Sequence, residues 1–169
     1  MPYAWLETVD SPAGPLAVAV DDAGALLRSQ FVAGRYTLTI EQMLERAGYT
    51  LAHDAQRTAQ AREQLLEYHQ GVRRVFALPL ALVGGDWQRR VWLELTHIPF
   101  GETRSYGELA AQLGRPHAAR AVGRANGSNP LPLIVPCHRL VGANGALTGY
   151  GGGLDLKARL LAHEARFAR

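Results

Sequence analysis

Ser105-Tyr106-Gly107-Glu108-Leu109-Ala110-Ala111-Gln112-Leu113-Gly114-Arg115-Pro116-His117-Ala118-Ala119-Arg120-Ala121-Val122-Gly123-Arg124 reads as two short helices joined by a turn. Ser105 and Glu108 fit the S-x-x-E capping box, which predicts a helix from Tyr106 to Leu113. Gly114 stops that helix, because glycine takes the left-handed conformation of a helix C-terminus without steric cost. Pro116 sits where proline is tolerated, in the first turn of a second helix. That second helix is rich in Ala and Gly, with Arg120 its prominent long side chain. Two short helices around a tight glycine turn form the helix-turn-helix pattern. A small-residue helix packed inside a core has the same composition, so the pair alone leaves both readings open.

Immediately downstream comes Asn129-Pro130-Leu131-Pro132-Leu133-Ile134-Val135-Pro136-Cys137-His138-Arg139, which contains the only cysteine of the chain. The apolar, proline-punctuated run from Leu131 to Val135 predicts a short, buried, extended segment that delivers Cys137 to a fixed place. An imidazole and a guanidinium follow at once. A thiol attacks as thiolate, and a neighbouring base or positive charge controls how readily that forms. Adjacent Cys and His side chains point differently along an extended chain, which disfavours direct pairing of the protease kind.

Working outward, 169 residues with 47% hydrophobic and 20% charged content make one ordinary domain or two small ones with a real core. No run is long enough to span a membrane, and no signal-peptide pattern opens the chain. One cysteine excludes an internal disulfide and a multi-cysteine zinc site, and suits a reducing cytoplasm. Charge is uneven: residues 1–85 carry 7 Lys+Arg against 9 Asp+Glu, residues 86–169 carry 11 against 6, and Lys157 is the only lysine. A basic, arginine-rich half suits phosphate contacts.

The first third predicts a β-meander: Ala4 to Thr8, the turn Ser11 to Pro15, Leu16 to Val20, the turn Asp21 to Gly24, then Ala25 to Leu27 and Gln30 to Val32. A helix capped by Thr39 and Gln42 follows, ending at Gly48, and another from about Asp54 to Gln70. His53 and His69 read as surface residues. Gly84-Gly85 marks a boundary between an N-terminal domain, 1–85, and a C-terminal one, 86–169. Trp87, Val91, Trp92 and Leu95 recur at helical spacing and predict an apolar stripe with both tryptophans in the core. Gly142 to Gly153 is a glycine-dense loop. In the last helix, about Asp155 to Phe167, Leu156, Leu160 and Glu164 share one face at four-residue steps. A buried Glu164 would need a partner; an exposed one would not.

The Asn129-Pro130, Pro136-Cys137-His138-Arg139, Arg120-Ala121-Val122-Gly123, Ser105-Tyr106, Tyr150 to Gly153 and Leu160-Leu161…Glu164 motifs resemble those of the O6-alkylguanine-DNA alkyltransferases. The resemblance is dense over the C-terminal half and looser over the N-terminal half. It implies an α+β protein: a small antiparallel sheet with helices, followed by a mostly helical, winged helix-turn-helix domain. It also implies irreversible, single-use transfer of an alkyl group from O6-alkylguanine, and from O4-alkylthymine, in DNA to Cys137. By resemblance, His138 takes the thiol proton through a water and Glu164 orients and charges that imidazole. Asn129 ties the turn before the cysteine, and Tyr106 crowds the target phosphate and the flipped base. Arg120 fills the gap left in the stack, with Ala119, Gly123 and Ser105 at the DNA in the minor groove. Tyr150, Gly151 and Leu140 wall the guanine pocket. The implied partner is double-stranded DNA with alkylated bases, bound by a monomer with little sequence preference; no cofactor, metal or membrane enters. Gly151 stands where some relatives carry serine, and the zinc-binding cysteines of others are missing. Two alternatives stay open: a helix-turn-helix regulator without alkyl transfer, and a cysteine hydrolase using Cys137 and His138.

Overall fold

The computed structural model describes residues 1–169, which divide into two compact units, Met1–Leu82 and Val83–Arg169. In the first, β1 (Tyr3–Val9), β2 (Leu16–Val20) and β3 (Leu26–Phe31) form an antiparallel meander. Its turns are set locally. The Ser11 hydroxyl accepts the Ala13 N–H at 3.1 Å, and the Asp21 carboxylate accepts the N–H groups of Ala23 and Ala25, both at 2.9 Å. The helix α1 (Ile40–Arg46) carries the expected reciprocal cap between Thr39 and Gln42.

Two features depart from the sequence reading. A fourth strand, β4 (Thr50–Ala52), joins beside β1 in parallel, so the sheet has the order β3-β2-β1-β4 and is mixed rather than purely antiparallel. The helix expected from Asp54 starts later, as α2 (Ala59–His69). The Asp54 carboxylate instead accepts the Gln56 N–H at 2.9 Å, and this local bond holds the chain in a turn. Alternation along the strands buries Ala4, Leu6, Ala17 and Ala19 against Ile40 and Leu44 of α1. Glu7, on the opposite face of β1, meets α2 through Arg62 at 2.8 Å. The sheet therefore lies between the two helices. His53 and His69 are exposed, as expected.

The second unit opens with α3 (Asp86–Leu95). Val91, Trp92 and Leu95 are buried, and the Trp92 indole donates to the Ala125 carbonyl at 2.8 Å. Trp87 is not core. It is half-buried, because its ring lies under two arginines rather than under apolar groups. The helix pair is present as α4 (Tyr106–Gln112) and α5 (Ala119–Gly127). Ser105 and Glu108 form the reciprocal cap at the start of α4. At its end, Gly114 at φ 76° donates to Ala111 at 3.0 Å and Arg115 donates to Ala110 at 2.9 Å, the paired bonds of a Schellman turn. The strand element beside the pair is one short parallel ladder of β5 (Arg104–Ser105) and β6 (Leu140–Val141). Between α5 and β6 runs the cysteine segment, and α6 (Leu154–Phe167) closes the unit.

Candidate active site

Every residue from Pro130 to Val141 is buried. The Leu131–Val135 run is a tight turn rather than the extended segment expected. The Val135 N–H donates to the Leu131 carbonyl at 2.9 Å, and Leu133 takes φ 77°, the only non-glycine residue of the chain at positive φ. Such a conformation costs about 1–2 kcal/mol for an L-residue with a Cβ, so the surroundings must impose it. Asn129 does so. Its carbonyl oxygen accepts the Leu131 N–H and its amide donates to the Val135 carbonyl, both at 2.9 Å, closing the turn from inside. The chain then enters a 3-10 turn, Cys137–Arg139, which starts the thiol and the imidazole in different directions. No hydrogen bond joins them.

Cys137 is buried, with 4% of the residue exposed. Burial pushes its pKa up, while the neighbouring Asn129 amide, the Tyr150 hydroxyl and the charge of Lys157 favour the anion and pull it back down without overcoming that burial. At rest the sulfur is therefore a thiol held among groups that favour its anion.

His138 is completely buried and its Nε2 lies 2.7 Å from Glu164 Oε2. Glu164 is 1% exposed, so the apolar stripe with Leu156 and Leu160 does carry a buried carboxylate. Its side-chain partners are His138 and Arg139. The Arg139 guanidinium donates to it through Nε at 2.8 Å and Nη2 at 2.9 Å, and spends a third donor on the Ile98 carbonyl at 2.6 Å. Burial alone would raise the Glu164 pKa, but the bonds and charges of His138 and Arg139 outweigh it and hold the carboxyl well below the usual carboxylate range. The His138 imidazole is pushed down, first by burial and then by Arg139 and Lys157, against the pull of Glu164. The resting state is thus a neutral imidazole on an Arg139–Glu164 ion pair. An ionised Glu164 makes Nε2 the donor, which leaves Nδ1 as the basic nitrogen. Nδ1 is buried and makes no hydrogen bond within the protein.

Sequence reasoning passed over Lys157. The only lysine of the chain is completely buried, with its ammonium donating to the Leu140 carbonyl at 2.5 Å and the Thr148 carbonyl at 2.9 Å. Its charge has no carboxylate partner and lies 6.0 Å from the centre of the Tyr150 ring. A lysine beside Leu156 on a C-terminal helix gives no sign of this in sequence. Gly101 was missed too. At φ 82° it donates to Glu164 at 3.2 Å, and a Cβ there would stand 2.5 Å from that of Ala168.

The remaining expected residues fall in two groups. Tyr106 caps the site from α4: its hydroxyl donates to the Thr148 carbonyl at 3.2 Å, and its ring lies beside Gly123, where a Cβ would be 3.7 Å away. Tyr150 is half-buried, Gly151 is exposed, and Leu140 is fully buried. Ser105 accepts the Glu108 N–H at 3.0 Å as a helix cap. Ala119 opens α5 half-buried, and Arg120 beside it is exposed with no ion-pair partner. No group of three or more His, Cys, Asp or Glu side chains is placed to hold a metal ion.

Comparison with known proteins bears on this arrangement. The 6-O-methylguanine DNA methyltransferase DNA-binding domain matches residues 86–166, which include the cysteine turn, the helix pair and Glu164. The methylated-DNA–protein-cysteine methyltransferase of Mycolicibacterium paratuberculosis is 50% identical over 159 residues, 94% of this chain and 91% of that protein. The one from Methanosarcina acetivorans is 42% identical over 161 residues, 95% and 96% of the two chains. The solved structure of Mycobacterium tuberculosis OGT in complex with DNA superposes with a TM-score of 0.83 at 44% identity, over 96% of this chain and 93% of that one. Shared identity at this level across nearly the full length of both chains places the buried thiol and its neighbours in a known setting: the chain belongs to the methylated-DNA–protein-cysteine methyltransferase family.

Proposed function

We propose that the chain repairs alkylated DNA by moving an alkyl group from guanine O6 to Cys137, once per molecule. The observation that carries this reading is the constellation around one buried sulfur: Asn129, Tyr150 and Lys157 at the thiol, and next to it an imidazole whose far nitrogen is pinned by a buried carboxylate. The thiol proton passes through a water to His138 Nδ1, and ionised Glu164 stabilises the imidazolium that forms. The thiolate then attacks the alkyl carbon in line. The S–C bond forms as the C–O6 bond breaks, the electron pair leaves with guanine O6, and a proton restores neutral guanine. Because a thioether does not hydrolyse, nothing regenerates the sulfur. Lys157 steadies the anion and, by holding Leu140 and Thr148, ties the glycine-dense loop to the cysteine turn.

Cys137 is the nucleophile, His138 the base, and Glu164 and Asn129 position them. The reacting carbon is out of reach in a stacked duplex, so the base is extruded at a cost of a few kcal/mol. Arg120 occupies the vacated space, and Tyr106 turns the target nucleotide toward Tyr150, Gly151 and Leu140. The α5 helix enters the minor groove beside Ala119 and Gly123, with Ser105 at the backbone and little preference for sequence. A monomer working in the cytoplasm suffices. O4-alkylthymine carries the same exocyclic alkoxy carbon and is a second substrate. All of these residues lie in the C-terminal unit, which makes that unit the DNA-binding and catalytic domain. A titration tests the reading: repaired lesions plotted against added protein should plateau at one per molecule, and many repairs per molecule would refute it.

A further inference from the structure

The half-buried Trp87 holds an arrangement that alkyl transfer does not use. Its indole N–H donates to the Ala121 carbonyl of α5 at 3.2 Å, which fixes the ring beside the second helix of the pair. The Arg115 guanidinium stacks on that ring at 5.0 Å and the Arg90 guanidinium at 5.7 Å. Two like charges share one ring, and neither has a carboxylate within ion-pair distance; the nearby Asp86 is taken by Arg89 at 2.7 Å. Both side chains are exposed. Repulsion of this kind is relieved by an anion between the two cations. The positions are also fixed. Arg115 is the residue that completes the Schellman turn after α4, and Arg90 donates to the Leu113 carbonyl at 3.0 Å, in the same turn. The Arg115 side chain itself makes no hydrogen bond, so its guanidinium donors remain free for a ligand.

We infer that Arg90 and Arg115, stacked on Trp87, form a preorganised cradle for a backbone phosphate of the DNA strand that crosses the turn between α4 and α5. The inference rests on the DNA-binding reading above and adds a contact outside the lesion site. Planar guanidinium forks suit phosphate oxygens, and a ring that holds them in place lowers the entropy lost on binding. A phosphate contact carries no sequence information, so the cradle adds affinity for any duplex and sets the register of α5 on it.

The test uses the full-length protein and an undamaged fluorescent duplex, with affinity measured between 50 and 200 mM salt. Losing one phosphate contact lowers the magnitude of the log Kd against log salt slope by about 0.9. Across that range the wild type should therefore lose about 3.5-fold more affinity than Arg115→Ala. Trp87→Leu keeps both charges and loses the platform, so it should bind more weakly at every salt with the wild-type slope. Single-turnover repair should fall at least ten-fold more on duplex than on a free O6-substituted guanine when Arg115 is replaced. An Arg115→Ala protein with wild-type slope and affinity would overturn the cradle. So would one with the wild-type slope and a lower unfolding midpoint, which would make Arg115 a structural part of the turn. Absence of any salt-dependent duplex binding by the wild type would instead overturn the DNA-binding reading on which the cradle rests.

Discussion

Replacing Glu164 with glutamine keeps the shape of the side chain and strands Arg139. The carboxylate accepts two bonds from that guanidinium and lies 2.7 Å from His138 Nε2, with the arginine and glutamate side chains 6% and 1% exposed. A glutamine offers one acceptor oxygen and turns an N–H₂ toward a donor. The guanidinium is left buried without its counter-charge, and breaking a pair in this way costs about 3–5 kcal/mol. Arg139→Met should cost a similar amount for the opposite reason. The double variant removes both charges, so most of the loss should return. About 1–3 kcal/mol should remain, because the Ile98 carbonyl loses its donor. Urea unfolding of the four proteins gives the coupling energy, expected to exceed about 2 kcal/mol in favour of the pair. The double variant is also the clean probe of chemistry, since it should regain most of the lost stability while His138 lacks its carboxylate. Its single-turnover alkylation rate at neutral pH should fall roughly 10²-fold, and its rate–pH profile should move upward, because the imidazole accepts the thiol proton less readily. A folded double variant with the wild-type rate and profile would end the role assigned to Glu164. Additive losses in the two single variants would end the claim that Arg139 is its counter-ion.

Other consequences follow from the same geometry. Lys157→Met removes the unpaired buried cation near Cys137 and two carbonyl bonds; alkylation of a free O6-substituted guanine should slow at least ten-fold and regain rate as pH rises, and a wild-type profile would show that the lysine is only a loop tie. Arg120→Ala should lose far more rate on duplex than on the free base, since only the duplex requires extrusion; equal losses would make Arg120 a fold residue. Gly101→Ala forces a Cβ into positive φ against Ala168 and should destabilise by about 1–3 kcal/mol, read by urea unfolding; an unchanged midpoint would show that the close approach is not rigid. Acid should destabilise the protein in two stages. The native His138 has a depressed pKa, so below about pH 6.5 the unfolded chain binds a proton that the native one does not, and stability falls. Glu164, also depressed, adds a further loss below about pH 5. A flat unfolding midpoint from pH 7 to 5 would contradict a buried neutral imidazole.

What was legible in the sequence was local or periodic. The two reciprocal caps, Thr39 with Gln42 and Ser105 with Glu108, are decided within four residues and stand as read. Glu164 was legible as a question, because the four-residue step through Leu156 and Leu160 placed it on a buried face, and that face required a partner. The side-chain partners, Arg139 and His138, come from 25 and 26 residues away, and only His138 was expected. Long-range effects account for the misses. The parallel β4 pairs with a strand more than forty residues upstream. Trp87 satisfies the helical stripe, yet arginines from α3 and from the turn cover its ring. Leu133 adopts a left-handed conformation because Asn129 bonds both ends of the turn, and no residue preference announces that. Nothing local to Lys157 announces its burial, because the carbonyls of Leu140 and Thr148 that hold it come from other segments.

Direct repair by this chain requires that one buried sulfur accept the alkyl group and keep it. Incubating the protein with a duplex containing a single O6-methylguanine, then measuring intact mass and mapping peptides, tests this directly. One added methyl group per molecule is expected, located on the peptide containing Cys137, with no addition in Cys137→Ala. An unmodified protein beside repaired DNA, or a methyl group on any other residue, would contradict it.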